Sequence, residues 1–485
     1  MSDLKNTSLK QVKWVSFGRV LPKIFSPITT ILMVGVFTPS DYGVVGICSA
    51  FISFINLLQG LGLDDIIIKD QELTDEKITT AFWFNLAVSV FFYILLLAAS
   101  PLIAYVYHNE ELKKYLPVLG FNLILNTIGF VPWALLRKKL EFKKLFFINF
   151  APLIISLCVT IPLGYLKYGP WAIVTGSVTL TLLTNIYFVI QSKWRPSFVF
   201  MKSEIKKNLK FGKFVIFERI QEYLYANIDI FLIGFFIDLR TLGIYTLAKS
   251  WSWLIFGMVT SPMTEILYPA FQKFSNDTKK MGKQFLEVER RMFFMTVPIF
   301  LIICAFASKT IAVIFPVRWA EAGLVLAFLI VGDGISKNFS LQRDLFKLIG
   351  RPDIYPKAFM INFIYTIICY PLGAKFGLIS FLCVRVGNDI LYTGIQYHLT
   401  RKIFGYSHED FYKIIRSTLM SGSIMLLSMV SLNYIIHAQI IYLNIFTLSI
   451  SLILSMLIYM VMYYVTDKTS ITKYYGEGKV VLGIK

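Results

Sequence analysis

Stretches of about 20 apolar residues recur from one end of the 485-residue chain to the other. A helix rising 1.5 Å per residue needs about 20 residues to cross roughly 30 Å of hydrocarbon. Each stretch therefore predicts one crossing, and fourteen are predicted, near 14–37, 42–63, 80–106, 116–136, 145–166, 170–190, 214–237, 242–267, 292–307, 321–342, 358–374, 377–399, 417–436 and 441–464. The expected fold class is an all-α integral membrane protein. Composition agrees: 56% of residues are apolar and only 16% charged, against roughly a quarter charged in soluble domains. A soluble enzyme with one anchor is excluded. So is an outer-membrane barrel, whose strands of about 10 residues alternate polar with apolar. The first apolar run is long and lacks a small-residue cleavage site, so it is expected to remain as a span.

Lys and Arg exceed Asp and Glu by 48 to 29. In a soluble chain that excess would suggest nucleic acid; here the basic residues sit in short connections. The N-terminal segment, alternate loops and the tail hold 35 of them and the intervening loops 7. Basic residues are retained on the cytoplasmic side, so both termini are expected in the cytoplasm. The expected organisation is a lobe of six helices at 1–190, a basic linker at 191–213, a second lobe of six at 214–399, and helices 13 and 14 with a cytoplasmic tail at 400–485. Within the linker, Ile205 and Leu209 among lysines suggest a short helix lying on an anionic leaflet. The lobes read as a repeat. With an offset of 200, Ser16-Phe-Gly-Arg19 falls on Ile216-Phe-Glu-Arg219, and Tyr42-Gly43 falls on Leu242-Gly243.

The chain carries no Gly-rich nucleotide loop ending in Lys-Ser/Thr, no HExxH, no GxSxG and no CxxC. Its five cysteines lie in apolar runs at unrelated spacings, and neither cofactor nor metal is expected. The charges within spans are informative, because a central Arg, Lys or Asp costs about 2.5–3.5 kcal/mol to insert and usually faces a cavity or a partner. In the first span Arg19 and Lys23 share a face, about 8 and 14 Å in, with a bend expected at Pro22 and Pro27. The seventh carries Glu218, Arg219, Glu222 and Asp229. Arg219 reads either as half of an internal ion pair or as an anion ligand, with a carboxylate binding a coupling cation. Asp333 with Lys337, and Arg385 with Asp389, are opposite charges at i, i+4 that could neutralise one another. Lys249 has no acidic residue at i±3 or i±4 in its span; Trp251 and Trp253 beside it could stack on a sugar or face lipid. Arg19, Lys23, Arg219, Lys249 and Arg385 could together line a wet cavity that suits phosphate or pyrophosphate, to which Arg offers paired donors.

Several segments carry a family resemblance: Phe37-Thr-Pro-Ser-Asp-Tyr-Gly43, Gly60-Leu-Gly-Leu63, Ile68-Lys-Asp-Gln-Glu-Leu-Thr74, Thr80-Ala-Phe-Trp-Phe-Asn-Leu86 and Pro132-Trp-Ala-Leu-Leu-Arg-Lys-Lys-Leu-Glu-Phe142. Asp238-Leu-Arg-Thr-Leu-Gly243 and Tyr268-Pro-Ala-Phe271 continue it in the second half. In order and spacing they resemble the Wzx-type oligosaccharide–lipid flippases of the multidrug/oligosaccharidyl-lipid/polysaccharide exporter superfamily, most of all the branch with colanic-acid and teichuronic-acid exporters. The resemblance implies two lobes around a central cavity and alternating access. Its cargo would be an undecaprenyl-pyrophosphate-linked oligosaccharide repeat unit, carried from the inner to the outer leaflet of the bacterial cytoplasmic (inner) membrane and passed to a polysaccharide polymerase. In relatives, cations on the first and seventh helices commonly line the cavity, and Arg19, Lys23 and Arg219 stand there. Glu222, Asp229 and Asp389 are the candidates for ion coupling. A cation-coupled multidrug or metabolite antiporter of the same superfamily is one alternative, with an acidic cavity expected. An integral-membrane glycosyltransferase using Asp64-Asp65 is another.

Overall fold

A computed structural model of the chain describes residue 21 and residues 25–60, 67, 74–139, 141–272, 277–339, 342–351, 353–437 and 445–468. Among these residues there are helices and no strands. The helices, in order, are α1 (Phe25–Val36), α2 (Pro39–Gly60), α3 (Asp75–Val106), α4 (Leu112–Lys138), α5 (Phe142–Tyr165), α6 (Pro170–Ser192), α7 (Lys202–Phe236) and α8 (Leu239–Gln272). They continue with α9 (Thr278–Ile314), α10 (Glu321–Ser336), α11 (Ile354–Lys375), α12 (Leu378–Phe404), α13 (His408–His437) and α14 (Ile445–Thr466). Each of the fourteen predicted spans thus has its helix. Those numbered 2–6 and 9–14 are long and apolar enough to cross a membrane. The long helices outside that group are α7 and α8, which carry Arg219, Glu222, Asp229 and Lys249.

The basic stretch before the seventh span differs from expectation. It forms the first turns of α7, which is continuous from Lys202 to Phe236 over 35 residues, and not a separate surface helix. No Pro or Gly pair interrupts it, and its Lys, Glu and Leu residues are good helix formers, so the helical backbone runs on without a break.

Two compact units are present, Met1–Thr246 and Leu247–Lys485. In the first, α5 packs on α6, α6 on α4, α4 on α3, and α2 on α7. In the second, α9 packs on α10, α11 on α12 and α13 on α14, with α13 also against α9 and α10 against α12. Side-chain hydroxyls and amides stitch these pairs where a lone polar group would be costly. Ser89 of α3 meets Thr127 of α4 at 2.6 Å, and Thr296 of α9 donates to Asn338, just beyond α10, at 2.8 Å.

The starts of α2 and α8, 200 residues apart, are capped alike. Thr38 precedes α2, and its hydroxyl accepts from the Asp41 amide (3.2 Å) while the Asp41 carboxylate accepts from the Thr38 amide (2.8 Å). At α8 the same box stands with its residues exchanged: Asp238 accepts from the Thr241 amide and from the Thr241 hydroxyl, both at 2.7 Å. Each box satisfies orphan donors of a first turn. The two turns so shaped then meet within the first unit. A Cβ on Gly43 would lie 1.6 Å from the Leu239 carbonyl oxygen, and one on Gly243 would lie 1.8 Å from the Pro39 carbonyl oxygen. Position 39 answers to 239 and 43 to 243, so the contact is reciprocal at the same offset of 200. A second echo joins the hairpins α5–α6 and α11–α12. Gly169 in Lys167-Tyr-Gly and Gly377 in Lys375-Phe-Gly both take left-handed φ, 56° and 96°, immediately before a helix, a conformation that glycine adopts without strain.

This geometry gives a first prediction. Gly43→Ala and Gly243→Ala should each destabilise the protein by about 1–3 kcal/mol, the usual cost of overpacking, seen as a lower thermal midpoint in detergent. Gly257→Ala, whose added Cβ meets nothing within 4 Å, should leave the midpoint unchanged or slightly higher. Equal effects at all three positions would contradict the close helix contact.

Candidate functional site

In the first unit the charged helix is α7. One edge is tied to its neighbours: the Tyr223 hydroxyl donates to the Ala50 carbonyl of α2, and Tyr107, at the end of α3, donates to the Phe231 carbonyl at 3.3 Å. Phe51 of α2 packs edge-on against Phe231 at 5.1 Å. Asp229 points elsewhere. It is only 4% exposed, and its carboxylate accepts a 2.5 Å hydrogen bond from Tyr245 of α8 and a 2.8 Å bond from the Ile230 amide. Tyr245 is wholly buried. Glu222, seven residues before Asp229 and on the same face, is half-buried, as is Arg219. Arg19 and Lys23 lie outside the described residues, as does Asp64-Asp65.

In the second unit a buried polar cluster joins α8, α10 and α12. Ser252 of α8 donates to the Asp333 carboxylate of α10. The Arg385 guanidinium of α12, 9% exposed, stands 3.8 Å from the other oxygen of Asp333. Asp389, one turn beyond Arg385, is buried with its carboxylate against the α10 backbone: a Cβ on Gly332 would fall 2.2 Å from Asp389 Oδ2. A larger residue at 332 would exclude that carboxylate. Lys337 leaves Asp333 to Arg385 and lies over the Trp253 ring, 5.1 Å from its centroid. Such a cation–π contact is worth more as water is removed. Trp251 packs edge-on to Phe315 at 5.5 Å, which gives that indole a packing role. Lys249 is half-buried, one turn before Trp253.

Of the eight residues singled out from the sequence, the structure therefore places Arg219, Glu222 and Asp229 along α7 in the first unit. In the second it places Arg385 and Asp389 one turn apart on α12, with Lys249 on the helix that supplies Ser252. The opposite charges read as i, i+4 pairs are joined across helices: Arg385 to Asp333 on α10, and Lys337 to an indole on α8. The partners that sequence spacing missed are Tyr245, Ser252 and Asp333 in this cross-helix role. Their only local signal is a single hydroxyl or carboxyl set in an apolar window. An apolar cavity of about 610 Å³ also opens in the second unit, among α9, α10, α12 and α13, lined by Phe300, Leu301, Gly394, Leu419, Gly422 and Leu426. Among the described residues no three His, Cys, Asp or Glu side chains converge as a metal site would require.

Residues 32–323 match the family described as "Polysaccharide biosynthesis protein". The teichuronic acid biosynthesis protein TuaB of Bacillus subtilis (strain 168) is 25% identical over 333 residues, which is 68% of this chain and 69% of that protein. The lipopolysaccharide biosynthesis protein WzxC of Escherichia coli (strain K12) is 22% identical over 419 residues, 84% of each. The succinoglycan biosynthesis transport protein ExoT of Rhizobium meliloti (strain 1021) is 21% identical over 310 residues, 64% of this chain and 62% of that protein. Among solved structures, the inward-closed lipid II flippase MurJ superposes with a TM-score of 0.71 over 94% of this chain and 99% of that one, at 15% identity. An inward-facing multidrug transporter of the MATE family superposes with a TM-score of 0.58 over 81% and 98%, also at 15% identity. These superpositions establish a transporter fold for a multi-pass membrane protein.

The Asp333–Arg385 pair yields a second prediction. Asp333→Leu or Arg385→Leu alone strands a buried charge and should cost about 3–5 kcal/mol. The double substitution should recover most of that loss, read as thermal midpoints in a double-mutant cycle. Simple additivity of the two losses would show that the charges do not act on one another.

Proposed function

The chain belongs to the polysaccharide biosynthesis protein family, and from that premise we propose that it is a flippase for lipid-linked oligosaccharide. It moves undecaprenyl-pyrophosphate-linked repeat units from the inner to the outer leaflet of the bacterial cytoplasmic membrane by alternating access. It is a transporter and not an enzyme: it binds, turns over and releases cargo without making or breaking a bond. Both termini lie in the cytoplasm, the side favoured by the 35-to-7 division of basic residues. The product passes to a polysaccharide polymerase. Two six-helix repeats, 1–190 and 214–399, carry the cycle on either side of the 191–213 segment, with 400–485 added to them. The exchanged capping boxes of α2 and α8 support a duplicated ancestry.

The observation that carries this reading is the charge retained on α7, where Arg219, Glu222 and Asp229 interrupt a helix that must otherwise satisfy hydrocarbon. Arg219 with Arg19 and Lys23 binds the pyrophosphate, since guanidinium groups offer phosphate oxygens paired donors. Lys249 and Arg385 provide a second anion contact. Arg385 reaches phosphate by exchanging its Asp333 partner, so its part comes later in the cycle than that of Arg219. Glu222, Asp229 and Asp389 are the coupling carboxylates. A cation arriving at Asp229 must displace the Tyr245 hydroxyl, which links ion binding to the α7–α8 contact. The apolar cavity among α9, α10, α12 and α13 offers room for part of the prenyl chain, while the sugars need the polar faces.

Removing one charge-assisted contact to a phosphate should cost about 1.5–3 kcal/mol, or roughly 10-fold or more in affinity. Arg19→Ala and Arg219→Ala, at normal protein levels, should therefore each depress polymer export and leave lipid-linked repeat units accumulating in the inner leaflet. Thin-layer or mass-spectrometric analysis of the lipid extract checks this. Unchanged export in both variants would refute the anion site, and an accumulated carrier lacking its sugars would favour a glycosyltransferase.

A further inference from the structure

The first half of α9 holds a group that no step above uses. Glu289 is 0% exposed, and neither of its carboxyl oxygens has a hydrogen-bond partner. It lies one turn after Phe285 and one turn before Phe293, within a cluster that includes Met281, Met292, Phe339 and Phe404. Phe285 packs on Phe404 at 5.8 Å and on Tyr406 at 6.2 Å, so the end of α12 and the loop after it cover this face of α9. An ionised carboxylate in such a place loses its hydration and gains nothing in return, a cost of many kcal/mol, whereas the neutral acid costs far less.

Neighbouring charges do not relieve it. On α9 itself, Arg290 reaches Asp467 beyond α14 at 4.0 Å, and Arg291 lies 3.7 Å from Glu287. From the loop after α12, Tyr406 is near enough to feel charge on Glu289, but its hydroxyl is engaged with Thr400 at 2.7 Å. From α12, Arg401 and Tyr397 act on that same phenol, and Tyr397 is bonded to His408 of α13 at 2.7 Å. From α10 and the turn after it, Asp333 is held by Arg385 and Lys337 by Trp253. One turn after Asn338, which Thr296 fixes against α9, Gln342 is also fully buried with both amide atoms unpartnered. Glu289 thus sits buried and unsatisfied within the aromatic cluster, and water reaches it only if the cluster parts.

We propose that Glu289 is a proton-binding site. It holds a proton while α9, the end of α12 and the start of α13 are packed together. When they separate, the O–H bond breaks, the proton passes to water, and the carboxylate and the Gln342 amide are hydrated. The site gives the protein a protonation-linked closure at the basic end of α9. Only its use, tying a proton to each transport cycle, rests on the flippase reading.

The packed state binds one more proton than the parted state, so its stability falls as pH rises. In the full-length protein in lipid nanodiscs, the thermal midpoint should drop by several degrees between about pH 5 and pH 9, and Glu289→Gln should flatten that slope. The infrared spectrum at neutral pH should contain the carbonyl stretch of a protonated carboxylic acid, and that band should vanish in Glu289→Gln. A band unchanged by the substitution, or a slope that persists in the variant, overturns the proposal. If Glu289→Gln does not fold, the native protein decides. Hydrogen–deuterium exchange across 285–293, corrected for intrinsic rates, should lose protection with rising pH, and pH-independent protection overturns the proposal. Arg219→Ala separates the two claims: it should depress transport and keep the band. Loss of the band there would count against Glu289, and retained export would count only against the anion site.

Discussion

Hydrocarbon offers no hydrogen bonds, so a polar atom inside this protein is costly unless another part of the chain answers it. That requirement explains most of what holds the helices in place. Asp229 is answered by Tyr245, Asp333 by Ser252 and Arg385, and Asn388 of α12 by Thr366 and Tyr370 of α11. In lipid the apolar faces of two helices gain little by meeting, since the tails they displace are equally apolar. Register and partner choice then fall to these few polar atoms and to the small residues that allow backbones to approach. Gly43 and Gly243 show the second device at its closest.

The same requirement makes each anchor a point of change. A hydroxyl holding a carboxylate can give way to a cation, and a carboxylate holding a guanidinium to a phosphate, because the charged group then receives an equivalent contact. An apolar contact has no such substitute. On the proposed flippase cycle, the residues that brace the fold in one state bind cargo or ions in another. For Arg385 that proposal makes bracing to Asp333 and ligand binding successive states of one guanidinium.

Much of this was legible in the sequence, for a definite reason. Span length and basic-loop bias are properties of the chain against the bilayer and need no tertiary knowledge. Hence each predicted span coincides with a helix among the described residues, the first with Phe25–Val36, and Arg219, Asp229, Arg385 and Asp389 stand out as costly. Pairing was not legible. Spacing reports only the neighbours on one helix, whereas packing also joins Arg385 of α12 to Asp333 of α10 and Lys337 to Trp253 of α8. The basic stretch at 203–213 was misjudged because its charge pattern suits a surface helix, and amphipathicity cannot reveal that the backbone continues into the next span. Glu289 escaped notice because Glu287-Val-Glu-Arg-Arg291 reads as a solvated loop end. Its burial comes from Phe404 and Tyr406, more than a hundred residues later.

The repeat carries the argument one step further. Thr38 with Asp41 and Asp238 with Thr241 perform one task with exchanged residues, which is expected when a duplicated turn keeps its geometry and drifts in sequence. Charge has not drifted in the same way: Arg219 retains a counterpart in Arg19 at the offset of 200, while Glu222 and Asp229 face Pro22 and Thr29. On the proposed flippase cycle, a duplication that keeps one arginine in each copy but confines the carboxylates to one suits anion binding by both copies. It would also leave the ion-sensitive element in a single copy. That asymmetry, written into two otherwise equivalent segments, is what a carrier requires if one arriving ion is to favour one orientation of its binding site over the other.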